Sequence, residues 1–229
     1  MAEIDHIVIG CATLEQGARY VEELLGVKPV KGGQHTGLGT HNMLLGLGST
    51  CYLEIIAADP TQPEPGQARL FDLDEAGMKT MLEAEPRLVA YVASTPALEA
   101  VVARLGSSQS GEIRAMTRGN FAWRMAFPPQ RQDMDNLIPP LIQWDSDKVH
   151  KHVKDSGWRL VALEAEHPEN QALHTALAAR GLGDTVKIRQ SPHPRLIAHL
   201  RHRDGRGDLV LHASRRAQAS LKGRGFLLL

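Results

Sequence analysis

Aromatic residues are scarce: three Trp, three Tyr and four Phe make up 4% of a 229-residue chain. That argues against stacking platforms for single-stranded nucleic acid. Cysteine is scarcer, at two, which is too few for a disulfide scaffold. Cys11 and Cys51 could pair only if their backbones came within about 7 Å. A reducing, cytoplasmic setting is the simpler expectation. Charge of either sign is not in excess, since 26 Lys and Arg offset 26 Asp and Glu. This excludes a nucleic-acid binder driven by bulk positive charge. No apolar run approaches the roughly 20 residues that span a bilayer, and Met1-Ala2-Glu3-Ile4-Asp5 lacks the basic-then-apolar layout of a signal peptide. What is present is the composition of a soluble globular protein, 42% hydrophobic and 23% charged. The length supports one large domain or two small ones.

The first sixty residues carry the clearest pattern. Ile4 to Gly10 is β-branched and short, which predicts a strand. Thr13 with Gln16 makes a capping box, Ala18, Val21, Leu24 and Leu25 recur at helical spacing, and Gly26 suits a left-handed helix end. A brief strand at Val27 to Val30, a glycine-rich loop at Gly32 to Gly39, and strands at Thr40 to Leu47 and Thr50 to Ala57 complete a β-α-β-β-β order. Residues 1–60 are read as one module and the proline-rich 61–86 as a connector. Residues 87–147 repeat the order, with a strand from Arg87 to Ala93 and a helix opened by Ser94-Thr95-Pro96. Strand candidates then follow at Gly111 to Thr117, Phe121 to Phe127 and Ile138 to Trp144. Residues 158–213 form a further β-α-β unit, which either extends the second sheet or makes another module. The basic stretch 214–229, with Arg215, Arg216, Lys222 and Arg224, reads as a solvated tail.

The strand Asp5-His6-Ile7-Val8-Ile9, the segment Gly33 to Asn42, Tyr52-Leu53-Glu54-Ile55 and Pro139-Pro140-Leu141-Ile142-Gln143-Trp144 resemble the glyoxalase-like branch of the vicinal oxygen chelate superfamily. The resemblance covers about residues 3 to 190. It implies an α+β fold in which repeated βαβββ modules form a half-open barrel around a divalent metal, here with a C-terminal αβ extension. The implied metal ligands are His6, Glu54 and Gln143, with zinc, manganese, iron or nickel as the cofactor. The implied chemistry is a lyase, isomerase or dioxygenase acting on a substrate with vicinal oxygens. Asn42 and Trp144 are the substrate contacts expected on this basis.

The residues themselves support part of this. Alternation puts His6 on one face with Ile4 and Val8, and Glu54 with Tyr52 and Ile56. If both strands line one concave sheet, an imidazole and a carboxylate meet, a pair suited to a borderline divalent metal. A lone strand histidine also reads as a packed, hydrogen-bonded residue. The second module offers no histidine opposite His6, and Gln143 is a weaker donor than a carboxylate. That favours the alternative, a metal-free protein that binds or sequesters its ligand in the same cleft. His35, one titratable ring among four glycines, reads equally as a loop residue and as a catalytic residue folding over the site. His41 reads as a strand-start residue, His150 and His152 as parts of a solvated linker, and Glu164 and Glu166 as an exposed edge face. No phosphate-binding loop or nucleophile elbow is present. The expected partners are a small-molecule ligand and at most a second copy in a homodimer, with no nucleic acid and no membrane.

Overall fold

The structure, a computed structural model, describes residues 2–129, 133–205 and 207–212, and the backbone of 218–220. The basic side chains of 214–229 lie outside the described residues.

The first module is β1 (Glu3–Gly10), α1 (Leu14–Leu25), β2 (Val30–His35), β3 (Thr40–Gly46) and β4 (Tyr52–Ala58). Thr13 caps α1 by accepting from the backbone N–H of Gln16 at 3.2 Å, and Gly26 ends it at φ 69°. The first half of the glycine-rich stretch, Gly32 to His35, is strand, and residues 36–39 form the turn. Its glycines serve close approach as well as turning. A Cβ on Gly33 would lie 2.7 Å from the Arg118 Cδ, whereas Gly37 and Gly39 take φ 79° and 62°.

The second module is β5 (Arg87–Ser94), α3 (Leu98–Leu105), the short α4 (Ser107–Ser110), β6 (Ile113–Arg118), β7 (Phe121–Ala126) and β8 (Leu141–Trp144). The connector holds a helix that the sequence pattern did not reveal, α2 (Ala76–Ala84). It contains Gly77 and buries only Leu82, so its periodic signal is weak.

Both modules share one eight-stranded sheet in the order β2-β3-β4-β1-β5-β8-β7-β6. β1 runs parallel to β4 and antiparallel to β5, so the modules join along their first strands. The sheet curls until its edge strands β2 and β6 touch. Its outer face packs Ile7, Ile9, Leu53 and Ile55 against the helices and the C-terminal unit. Its inner face encloses Val8, Ile56, Val92, Trp123, Met125 and Ile142. Burial on both faces explains why β1 and β4 read as nearly continuous apolar runs.

The C-terminal unit is β9 (Trp158–His167), α5 (Asn170–Ala179), β10 (Val186–Gln190), β11 (Arg195–His202), β12 (Asp208–His212) and β13 (Gln218–Ser220). It forms its own five-stranded sheet in the order β10-β9-β11-β12-β13. Its first strand lies between the second and third, whereas β1 neighbours β4 and β5. It therefore neither extends the first sheet nor repeats the module. β9 is an interior strand, so Glu164 is not on an edge. It is buried and ion-paired with Arg189 at 3.0 Å and His199 at 3.3 Å. His150 likewise is buried within a one-turn 3-10 helix rather than solvated in a linker.

Candidate functional site

The inner face of the barrel holds a narrow, half-open cavity of about 40 Å³. Its floor is polar, formed by His6, Tyr52 and Glu54 from β1 and β4 and by His35 and Asn42 from β2 and β3. Its opposite wall is apolar, formed by Met116, Trp123, Met125, Ile142 and Trp144 from the second module. Phe71 closes a third side and Arg118 stands at the rim.

His6 and Glu54 meet as alternation requires, with Nε2 3.4 Å from Oε2. The other ring nitrogen of His6, Nδ1, lies 2.8 Å from Asp5 Oδ1. Adjacent residues on a regular strand point to opposite faces. The pairing of β1 with β5 slips by one residue between Ile4 and His6, leaving Asp5 as a bulge residue whose side chain swings beside its neighbour. Trp144 Nε1 donates to the other Asp5 oxygen at 2.9 Å, and Tyr52 stacks on the His6 ring at 4.5 Å.

Asn42 organises the second half of the floor. Its Nδ2 donates to Glu54 Oε1 at 2.5 Å and lies 3.2 Å from His35 Nε2. Its Oδ1 accepts from the Gly33 backbone N–H at 2.9 Å and from Arg118 Nη1 at 3.1 Å. Two donors on Oδ1 fix the amide orientation, so His35 Nε2 is an acceptor and its proton sits on Nδ1, 2.9 Å from Thr40 Oγ1. His35 thus reaches the site, yet both of its nitrogens are engaged.

Burial by itself would lower the pKa of His6, but its hydrogen bonds to Asp5 and Glu54, with their charges, raise it to about 9. Burial likewise pushes Glu54 up, and the hydrogen bond and charge of His6 hold it down at about 2. Near neutrality the pair is an imidazolium beside a carboxylate. Burial lowers the pKa of His35 and keeps that ring neutral, although the charge of Glu54 opposes it.

Gln143 is not part of this floor. In β8 the alternate residues Ile142 and Trp144 face the cavity, so Gln143 faces outward, where its Oε1 accepts from the Leu98 backbone N–H at 2.8 Å. It caps α3, whose own N-cap residue, Ala97, offers no side-chain oxygen. The metal shell expected from the resemblance is therefore incomplete. His6 and Glu54 supply two adjacent donors, Asn42 turns an N–H toward them, and the facing positions Val92 and Ile142 are apolar. Among the described residues no group of three or more His, Cys, Asp or Glu side chains is arranged to hold a metal ion. Cys11 and Cys51 are buried and free.

Asp5, Thr40, Tyr52 and Arg118 belong to the site and were not singled out from the sequence. Only Asp5, a carboxylate inside an apolar strand, carried a signal there.

A family model described as a glyoxalase-like domain matches residues 4–181. The chain therefore belongs to this glyoxalase-like family. A crystal structure of a hypothetical protein from Staphylococcus aureus superposes with a TM-score of 0.56 at 18% identity, covering 87% of this chain and 81% of that one. Methylmalonyl-CoA epimerase from Mycobacterium tuberculosis has a TM-score of 0.39 at 19% identity, over 65% of this chain and 91% of its own. No curated protein sequence matches the chain. Among the described residues no helix is long and apolar enough to cross a membrane.

Proposed function

We propose that this protein binds a small molecule in the barrel cavity and moves a proton on it, as an isomerase or lyase of acid–base type. The observation that carries the reading is the buried His6–Glu54 pair on the floor of an otherwise apolar pocket. A buried ion pair is often no more stabilising than well-packed apolar residues of the same volume. Its presence in a cavity, with Asp5 fixing the imidazole, is therefore explained by chemistry rather than by folding.

The pair suits abstraction of a proton from carbon next to a carbonyl. Within the pair His6 donates to Glu54 and suppresses its basicity. As negative charge develops on the carbonyl oxygen of a bound compound, the N–H of His6 turns to that oxygen. Glu54 regains basicity and takes the proton from carbon. The electron pair of the C–H bond becomes the enolate, held by the imidazolium. His35 acts here as a positioning residue, holding Asn42 and so the Glu54 carboxylate, while Asn42 and Trp144 border the compound.

The test is deuterium exchange in D2O, followed by proton NMR, on a panel of ketones, aldehydes and oxo acids with chelator-treated protein. Exchange at the carbon beside the carbonyl is expected, falling about a hundredfold or more in Glu54→Gln. Binding without exchange across the panel would instead establish a sequestering protein.

A second reading, metal-dependent lyase, isomerase or dioxygenase chemistry, is favoured by the Asp5–His6 hydrogen bond, which is how a ligating imidazole is oriented. Retention of one equivalent of zinc, manganese, iron or nickel, lost in His6→Ala, would select it. Cytoplasmic residence and a homodimer remain part of the proposal and are tested by fractionation and by sedimentation.

A further inference from the structure

Arg118 ends β6 and reaches across the seam where the sheet edges meet. Its stem lies against Gly33 on β2 and its Nη1 donates to Asn42 Oδ1 on β3 at 3.1 Å. Three other partly or fully buried arginines, Arg69, Arg124 and Arg180, find their partners within the protein. Arg69 pairs with Asp74 at 2.7 Å and Glu64 at 3.0 Å, Arg124 pairs with Asp145 at 2.8 Å, and Arg180 donates to the backbone oxygens of Ala176 and Gln109 at 3.0 and 2.7 Å. Arg118 has the Asn42 bond and no carboxylate within ion-pairing distance among the described residues. Most of its donor fork is left for another oxyanion.

We infer that the compound bound over His6 and Glu54 carries a carboxylate and that Arg118 receives it. This deepens the proposed function, on which it rests, by naming the compound's class. A planar guanidinium matches a carboxylate through two parallel N–H···O bonds, which a neutral amide cannot reproduce. One side-chain amide, that of Asn42, separates the guanidinium from Glu54. A carboxylate seated on Arg118 therefore lies one side-chain amide away from Glu54, the group that is to move a proton. The rest of the compound meets Met116, Trp123, Met125 and Trp144, so it is apolar. Length is accommodated outward, since Arg118 also borders a groove of about 620 Å³ lined in part by Val30, Leu44, Phe121 and Val153. The class is a monocarboxylic acid with a hydrophobic substituent, and Arg118 is its specificity-determining residue.

The experiment compares matched probes, hexanoate against hexanamide and pyruvate against pyruvamide, by calorimetry or saturation-transfer NMR. Wild-type protein is expected to favour the acid of at least one pair by about tenfold or more, the weight of a charge-assisted pair. Arg118→Met should abolish that preference, lowering acid affinity about tenfold or more beyond any change in amide affinity, and Arg118→Lys should retain part of it. Equal binding of acid and amide by wild-type protein overturns the inference without any variant. So does a preference that survives Arg118→Met. In Glu54→Gln the preference should persist. Acid preference in wild-type protein without deuterium exchange would sink the proton-transfer reading and leave this one standing.

Discussion

The His6–Glu54 pair makes a quantitative demand on stability. His6 titrates at about 9 in the folded chain against an ordinary 6.5. Its contribution is complete below 6.5 and is lost as the pH rises through 9. Glu54 titrates at about 2 against an ordinary 4.5. Its contribution is complete above 4.5 and is lost as the pH falls through 2. Each gap corresponds to about 3 kcal/mol, at about 1.4 kcal/mol per pH unit. The two share the His6–Glu54 interaction, and Asp5 also contributes to the His6 figure, so about 3 kcal/mol is lost at either extreme and the two figures do not add. Glu54→Gln removes the acid limb altogether. It moves the alkaline limb to lower pH without abolishing it, because Asp5 still faces His6. The assay is urea denaturation of both proteins from pH 2 to 9.5. Groups common to both cancel in the difference, which should be flat between about 4.5 and 6.5 and fall on either side. Parallel curves over the whole range would refute the pairing.

Two further outcomes test individual contacts. Gln143→Ala should cost about 0.5–2 kcal/mol of stability, the value of a lost helix cap, and leave ligand binding unchanged; a loss of binding at unchanged stability would return Gln143 to the site. Trp144→Phe should cost about 1–3 kcal/mol by leaving one Asp5 oxygen without its donor, and should shift the titration of His6 in histidine NMR spectra; an unmoved His6 signal would show that the Trp144–Asp5 bond does not position the ring.

Regular alternation made the heart of the site legible. Counting in twos gives the face-mates of His6 and Glu54, while the family resemblance is what singles the pair out, and the register of β1 and β4 is free of slips, so the count holds. Alternation fails wherever the register does. The slip at Asp5 turns an outward residue inward, and nothing in Ile4-Asp5-His6 announces it. Gln143 was misplaced by one residue for a related reason. β8 is four residues long, begins after Pro139-Pro140, and has no periodic signal long enough to set its faces. His35 was within reach because a titratable ring among glycines is unusual, although His35 itself ends a strand and only the residues after it turn. Arg118 was out of reach. Its role depends on β2 and β6 meeting across the seam, a closure that brings Arg118 to Asn42 on β3, 76 residues away. The duplication was visible as an order of elements. The chemical division of labour between its copies was visible only in part, since the first supplies the polar floor and the second the apolar wall.

Phe71 links the cavity to its surroundings and carries a testable strain. It lies in a short 3-10 turn with φ 57° and ψ 36°, a left-handed conformation in which a side chain costs about 1–2 kcal/mol. Its ring is buried, walls the cavity, and also borders a pocket of about 300 Å³ on the far side. Removing the ring should cost about 3–5 kcal/mol in lost burial and packing. The backbone contribution separates in a comparison of two truncations that both lack the ring. In a helix alanine is the more stable of alanine and glycine by about 1 kcal/mol, but at a left-handed position glycine is favoured. Phe71→Gly should therefore be more stable than Phe71→Ala by about 1 kcal/mol in urea denaturation. Both should admit bulkier carboxylates than wild-type protein does, because the two cavities merge. An alanine variant as stable as the glycine variant would remove the strain, and unchanged discrimination against bulky ligands would remove Phe71 as the wall that sets ligand size.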